Sequence, residues 1–310
     1  MKKKTYPNTA IKASRLGFGA WPLGNTAHGK TMSIEDGVAL VEKALKEGVT
    51  FFDTAPNYAK GRSETILGKA LEGKRHRVII NTKFGHDVND VIDFSEERIV
   101  PSIEASMERL KTDYLDSVIL HNPDQSVLKG ETGHFDILSR LKEDGRIKAY
   151  GVSIDTPEEL RMVLDRDDID VIELLFNIYA QSSRKLFDEV KDRGIALIIK
   201  VPLDSGWLTG KYTKDSTFTD IRSRWTPEIK ERRDVLTHKL KSLLGTEKLA
   251  PEAMRFIWSF DAVTTVIPGI RTESQLHEHL EAEKTPMDTQ NVRKLIEFND
   301  EKIKDDPLPW

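Results

Sequence analysis

Short, β-branched, near-continuously apolar runs alternate with amphipathic helical stretches about eight times along the chain. The strand candidates are LGFGA (16–20), VTFFD (49–53), VIINTKF (78–84), LDSVILH (115–121), IKAYGVS (147–153), IDVIELLF (169–176), IALIIKV (195–201) and AVTTVI (262–267). Runs of this kind belong to strands buried on both faces, and helices between them supply the cover, so the pattern predicts a parallel sheet. Eight such units predict closure into a (β/α)8 barrel. Helix signals fall in the gaps: Ser33, with Asp36 three residues on, opens a segment whose Val38, Val41 and Leu45 share a face, and Gly48 follows as a stop. Ser63 is expected to cap a second helix, with Ile66, Leu67, Ala70 and Leu71 facing inward and Gly73 ending it. Proline inside a helix costs about 3 kcal/mol, so a third helix is expected from about Val100, with Pro101 in its first turn.

Two stretches depart from the alternation. TYPNTAIKASRL near the start predicts a short hairpin plugging the barrel bottom. Segment 202–250, which opens PLDSGWLTGKYTKDSTFTDIRSRWTPE and leads into a charged helix near 227–243, adds helical structure to the C-terminal half and is placed on the strand-tip face. Long ordered connections in compact domains are usually binding loops or lids.

Composition narrows the classes. The 310 residues suit one α/β barrel domain over 1–310. The net charge of −4, with both signs mixed along the chain, argues against a nucleic-acid footprint or an anionic membrane and leaves a small molecule as the expected partner. Cysteine is absent, which removes disulfides, Cys-based zinc sites and a thiol nucleophile. MKKKTYPN lacks the apolar core of a signal peptide, and no apolar run approaches the ~20 residues of a membrane helix, so the expected location is cytoplasmic. Oligomeric state is not legible.

The chemistry lies at the predicted strand tips, where barrel active sites are built. Asp53, Lys83 and His121 each end an apolar run, and Tyr58 follows Asp53 by five residues. A tyrosine of pKa about 10 is a poor acid near neutrality, and a neighbouring ammonium lowers that value; a carboxylate in turn keeps a buried lysine charged. The four groups therefore predict a proton-donating Tyr58 tuned by Lys83 and Asp53, with His121 orienting a carbonyl oxygen. Singly, each has a plainer explanation: a turn aspartate, a packed ring, a solvent-facing lysine, a structural histidine. Together on neighbouring tips they are hard to explain that way.

A hydride donor must come from a cofactor. No dinucleotide-binding glycine fingerprint is present, since Pro22 stands at the third glycine position after Gly17 and Gly19. IPGIRTESQLHEHLEA (267–282) follows the last strand and opens a helix, where barrels often bind phosphate; Gly269 permits close backbone approach and Arg271 offers a fork.

GFGAWPLG (17–24), FFDTAPNYAKGRSE (51–64), SMERLKTDYLDSVILHNPD (106–124), PLDSGWLTGKY (202–212) and VIPGIRTESQLHEHL (266–280) resemble the aldo-keto reductase superfamily, closer to its bacterial branch with potassium-channel β-subunit-like relatives. The resemblance spans almost the whole chain. It implies a TIM barrel that uses NADPH, or less readily NADH, without metal, and a catalytic set of Asp53, Tyr58, Lys83 and His121. It also implies a cofactor set: Trp21 and Asp53 bordering the active site, Ser153 and Glu173 at the nicotinamide amide, Pro202, Leu203, Ser205, Gly206 and Lys211 along the pyrophosphate, and Gly269, Arg271, Gln275 and Glu278 at the adenosine end. Arg271 favours the 2′-phosphate of NADPH. Arg222 or Arg224 would clamp the cofactor.

Three positions depart from the family pattern. Ile154 stands where Asn is usual, Glu173 stands where Gln is usual, and His279 replaces Asn beside Glu278. Glu173 can accept from an amide but not donate, and its charge is expected to favour the oxidised nicotinamide. Asn177 is the other candidate for the amide. The expected activity is NADPH-dependent reduction of an aldehyde or ketone, or the reverse oxidation. A cofactor-reporting regulatory subunit with little turnover is the alternative, and a Schiff-base role for Lys83 a third.

Overall fold

All eight predicted runs are strands. In the computed structural model, which describes residues 1–27 and 30–309, they are β1 (Phe18–Gly19), β2 (Phe51–Asp53), β3 (Ile79–Phe84), β4 (Ser117–His121), β5 (Tyr150–Ile154), β6 (Val171–Leu175), β7 (Ala196–Lys200) and β8 (Val263–Val266). Each pairs in parallel with its neighbours in chain order. The sheet closes on itself: Leu16 bridges to Val266 and Gly19 to Gly269, and Gly17 N donates to Val266 O at 2.8 Å.

Alternation along the strands divides the core in two. Phe52, Ile80, Val118, Val152, Ile172 and Ile199 pack outward under the helices, whereas Phe51, Ile79, Ile119, Ala149, Val171 and Ile198 fill the barrel's lower interior. The expected hairpin, Lys3–Thr5 paired antiparallel with Lys12–Ser14, closes that end. Tyr6, wholly buried, leads into the interior, where its hydroxyl meets Ser117 Oγ at 2.6 Å. At Gly151 an added Cβ would stand 1.7 Å from Val171 O, so only glycine lets β5 lie this close to β6.

The first helix, Ile34–Lys46, is capped by Ser33 accepting from Asp36 N, and the third, Ile99–Leu110, carries Pro101 in its first turn, both as expected. The second differs from expectation. Arg62–Ala70 starts at Gly61 in a left-handed conformation, and Ser63 lies inside it, donating to Ala20 O at 2.9 Å and bonding Thr54 Oγ1 at 3.0 Å. A capping residue has exposed N–H groups to satisfy; Ser63 instead ties the helix to the turns after β1 and β2. The C-terminal half adds Pro227–Leu244 and Thr289–Lys302 to the barrel. Among the described residues no helix is long and apolar enough to cross a membrane.

Candidate active site at the barrel mouth

Asp53, Lys83, His121, Ser153, Glu173 and Lys200 lie on successive strands β2 to β7, and Asp53, His121 and Lys200 end theirs. Tyr58 hangs from the loop after β2. Ala59, Lys60 and Gly61 follow it with φ of 52°, 57° and 80°, and Ser63 N bonds back to Tyr58 O at 3.3 Å. Two consecutive non-glycine residues in that region store strain, a feature concentrated at functional sites.

Lys83 is the centre of the cluster. Its fully buried ammonium donates to Asp53 Oδ1 at 2.7 Å, Asp53 Oδ2 at 2.8 Å and Thr54 O at 3.0 Å, and lies 3.4 Å from Glu173 Oε2. It also stands over the Tyr58 ring, 5.0 Å from that ring's centre. The Tyr58 ring meets His121 edge-on at 6.2 Å, and His86 lies beside His121 with ring centres 4.5 Å apart. Asn81 Nδ2 donates to Asp53 at 2.7 Å and reaches Glu173 at 3.5 Å. Ser153 Oγ donates to Glu173 Oε1 at 3.2 Å and accepts from Lys200 Nζ at 2.7 Å.

Electrostatics follow from two carboxylates facing one ammonium in a dry interior. Burial, then the neighbouring Glu173, push Asp53 up, while Lys83 pulls it down without cancelling them. Burial alone would lower Lys83, but Asp53, Glu173 and Tyr58 together outweigh it and hold the amine protonated. A lysine held as ammonium is a poor Schiff-base nucleophile. Burial also raises the Tyr58 phenol; Lys83 opposes the rise, and Asp53 and Glu173 add to it. Lys83 pulls the phenol down, but burial keeps it above its ordinary value. His121 is driven well below its usual value by burial, then by Lys83, Lys200 and His86, so it is neutral, and its Nδ1 has no partner among the described residues.

The remaining predicted residues lie beyond the strand ends of the same rim. Trp21, 37% exposed, sits in the turn after β1. Pro202 and Leu203 lead into a short 3-10 segment, Asp204–Thr209, in which Ser205 and Gly206 have φ of 52° and 107°; Arg222 Nε donates to Ser205 O at 2.8 Å. Lys211 is exposed just beyond. Gly269 packs its backbone against Pro22, where a Cβ would approach to 3.1 Å. The Arg271 guanidinium donates to Asn25 O at 2.8 Å and Lys30 O at 2.6 Å. Gln275 closes a capping box with Thr272 at the start of Glu273–Lys284, and Glu278 is half-buried on that helix. His279 is buried beside it with Nδ1 unpartnered, its pKa lowered to about 4 by burial. Asn177 is consumed by backbone bonds to Tyr179 N, Ala180 N and Val201 O, which leaves Glu173 as the inward-facing group. Trp207 and Trp225 are core residues, not pocket walls.

Sequence reasoning missed Asn81, His86 and Lys200. Asn81 was accessible, since it stands two residues before Lys83 on one strand and so shares its face. Two surface hollows of about 610 and 490 Å³ lie away from the mouth, one beside His238 and Phe298 and one beside Trp258 and Met287.

A closed eight-stranded barrel with a lysine–carboxylate cluster at the C-terminal ends of its strands defines a TIM-barrel oxidoreductase. Residues 15–300 match the Aldo/keto reductase family, and the chain belongs to it. It is 31% identical over 290 residues to aldo-keto reductase YhdN of Bacillus subtilis, covering 89% of this chain and 87% of that one. It is 29% identical to a probable voltage-gated potassium channel subunit beta of Arabidopsis thaliana, covering 91% of each. The holo form of aldo-keto reductase AKR11C1 from Bacillus halodurans shares the fold at TM-score 0.81, 24% identity and 96% coverage of both chains.

The rim also suits a nicotinamide dinucleotide. Lys211 supplies an exposed cation, Ser205 and Gly206 a turn whose left-handed backbone is set in advance, and the buried Nδ1 atoms of His121 and His279 lack partners among the described residues.

Proposed function

We propose that the chain, acting as one barrel domain, reduces an aldehyde or ketone to the alcohol with NADPH, and runs the oxidation in reverse. The observation that carries the reading is the buried Lys83 ammonium, held by Asp53 and seated 5.0 Å from the centre of the Tyr58 ring beside a neutral His121. The bound nicotinamide supplies the hydride. Tyr58 gives its proton to the carbonyl oxygen, and His121 donates a hydrogen bond to the same oxygen, stabilising charge as it develops there. Lys83 returns a proton to the phenolate, and Asp53 keeps Lys83 charged. A phenol of raised pKa is a weak acid in the ground state, so its proton moves only as the oxygen turns basic during hydride transfer.

Lys211 and the Ser205–Gly206 turn are assigned to the pyrophosphate, and Arg271 with Gln275 and Glu278 to the adenosine end. Arg271 already holds Asn25 O and Lys30 O, and its Nε and remaining Nη2 donors are assigned to a 2′-phosphate. A reporting role with little turnover is the second reading, favoured by the similarity to a probable channel β-subunit.

Tryptophan fluorescence during NADPH titration, followed by a carbonyl panel of methylglyoxal, glyceraldehyde and benzaldehyde, separates the two. Saturable quenching with oxidation of NADPH supports the reductase. Tight binding with negligible oxidation across the panel supports the reporter, and absence of binding removes both.

A further inference from the structure

Once Tyr58 has given up its proton, the half-buried phenolate is a strong base, because desolvation and two carboxylates disfavour its charge. Its proton must come from solvent. Lys83 is fully buried and has no direct route outward. One branch of the cluster leads down: Asp53 accepts from Asn81, which accepts from Ser117 at 2.5 Å, which meets Tyr6 at 2.6 Å. That branch ends at a fully buried ring among Phe51 and Ile79, and an amide is a poor proton carrier. The other branch leads out. Lys83 faces Glu173 Oε2 at 3.4 Å; Ser153 donates to Glu173 Oε1 at 3.2 Å; Lys200 donates to Ser153 at 2.7 Å. Lys200 closes β7 at the rim, with its side chain 14% exposed, bonded to Asn122 Oδ1 at 3.0 Å and paired with Asp155 at 2.8 Å.

We propose that Glu173, Ser153 and Lys200 are a proton path from the rim to Lys83, serving the redox reaction proposed above. The donors already point one way: the Ser153 hydroxyl accepts from Lys200 and donates to Glu173, the arrangement in which a hydroxyl passes a proton by taking one and releasing another. In the reductive direction the Tyr58 O–H bond breaks and its proton joins the carbonyl oxygen. Lys83 then gives a proton to the phenolate; Ser153, taking a proton from Lys200 as it releases its own, protonates the Glu173 carboxylate, Glu173 passes that proton to Lys83, and water restores Lys200. Every group ends as it began, one solvent proton is consumed, and no electrons move along the path. In this role Ser153, Glu173 and Lys200 are relay residues, acting on the reacting oxygen through Lys83 and Tyr58, apart from any contact of Ser153 and Glu173 with the nicotinamide amide.

The experiment is a single turnover of the NADPH-loaded protein with the fastest aldehyde of the panel, following NADPH absorbance and proton uptake by a pH indicator together. In the parent, uptake keeps pace with NADPH oxidation. In Lys200→Met the first oxidation proceeds on the proton already on Tyr58, while uptake lags at least about tenfold; Ser153→Ala, whose hydroxyl is also assigned to the nicotinamide amide, is read only through the lag of uptake behind its own oxidation rate. Ser153→Thr, which keeps the hydroxyl, restores the match. NADPH affinity measured on each variant separates this effect from impaired binding, and Lys200→Met carries the test should the buried Ser153→Ala fold poorly. Uptake that stays synchronous in both variants overturns the path while leaving the reductase assignment standing. No oxidation in the parent overturns both.

Discussion

Lys83 Nζ donates to both oxygens of Asp53, at 2.7 and 2.8 Å, beside a third short bond from Asn81 Nδ2 at 2.7 Å, and Glu173 stands 3.4 Å from the same ammonium as a second carboxylate. The excess negative charge has a consequence for stability. Asp53 is raised from 3.8 to about 8, by burial first and Glu173 second. A carboxyl whose folded pKa is raised binds more protons folded than unfolded, so its contribution is full below about pH 4 and is lost as pH rises toward 8. Glu173→Gln removes the second carboxylate. The fall in melting temperature between pH 5 and 8 should shrink in that variant, and scanning calorimetry at several pH values measures it. The same variant should bind NADP⁺ less favourably relative to NADPH; an unchanged ratio removes any electrostatic bias toward oxidised cofactor.

His279 titrates in the opposite sense. Its folded pKa of about 4 lies below the ordinary value of 6.5, so the unfolded chain gains a proton that the fold refuses. Stability is full above pH 6.5 and falls as pH drops toward 4, by on the order of 3 kcal/mol over that window. His279→Asn should flatten this acid limb in urea unfolding at pH 7 and pH 4.5, whatever its effect at neutrality.

Arg233 and Asp204 form a buried ion pair, 2.9 Å apart, and Arg233 Nη2 also donates to Pro309 O at 2.9 Å. Asp204, with φ of 45°, starts the turn assigned to the pyrophosphate, and Val201 just before it has φ of 53°, an unusual setting for a β-branched residue. Arg233→Met leaves a buried carboxylate unpaired and should cost about 3–5 kcal/mol. Chemical denaturation measures that loss. A parallel NADPH titration should show weakened binding, because the pair holds the turn.

Arg271 links the last βα turn to the loop after β1 through Asn25 O and Lys30 O. Arg271→Met should weaken NADPH at least about tenfold while changing NADH much less, since one charge-assisted pair to phosphate is worth about 1.5–3 kcal/mol. Equal losses for both cofactors would mean that Arg271 acts only by bracing the loop.

How much of this was legible depended on the kind of signal. The eight strands were readable because double burial leaves a continuous apolar run, and Gly48 and Pro101 punctuate the helices in the expected way. Asp53, Lys83 and His121 were readable because strand tips are fixed by the barrel. Ser63 misled because a serine at a helix start looks the same whether it caps or reaches across to Ala20 O. The raised pKa of Tyr58 was not legible because burial, its largest cause, is set by the tertiary fold, and so is the approach of Glu173. Placing Glu173 within 3.4 Å of Lys83 needs the stagger of strands β3 to β6 around the closed barrel, which no local pattern encodes. Lys200 escaped notice because its role depends on Ser153, two strands away.

The measurement that tests the central claim most directly is a single turnover of NADPH-loaded Tyr58→Phe beside the parent, with NADPH affinity determined for both. The variant keeps the aromatic ring beside Lys83 and loses only the hydroxyl assigned as the acid. The account predicts nearly unchanged NADPH affinity and carbonyl reduction slowed by about 10²–10⁴-fold. Reduction at the parent rate would contradict it, because the proton would then come from a group other than Tyr58.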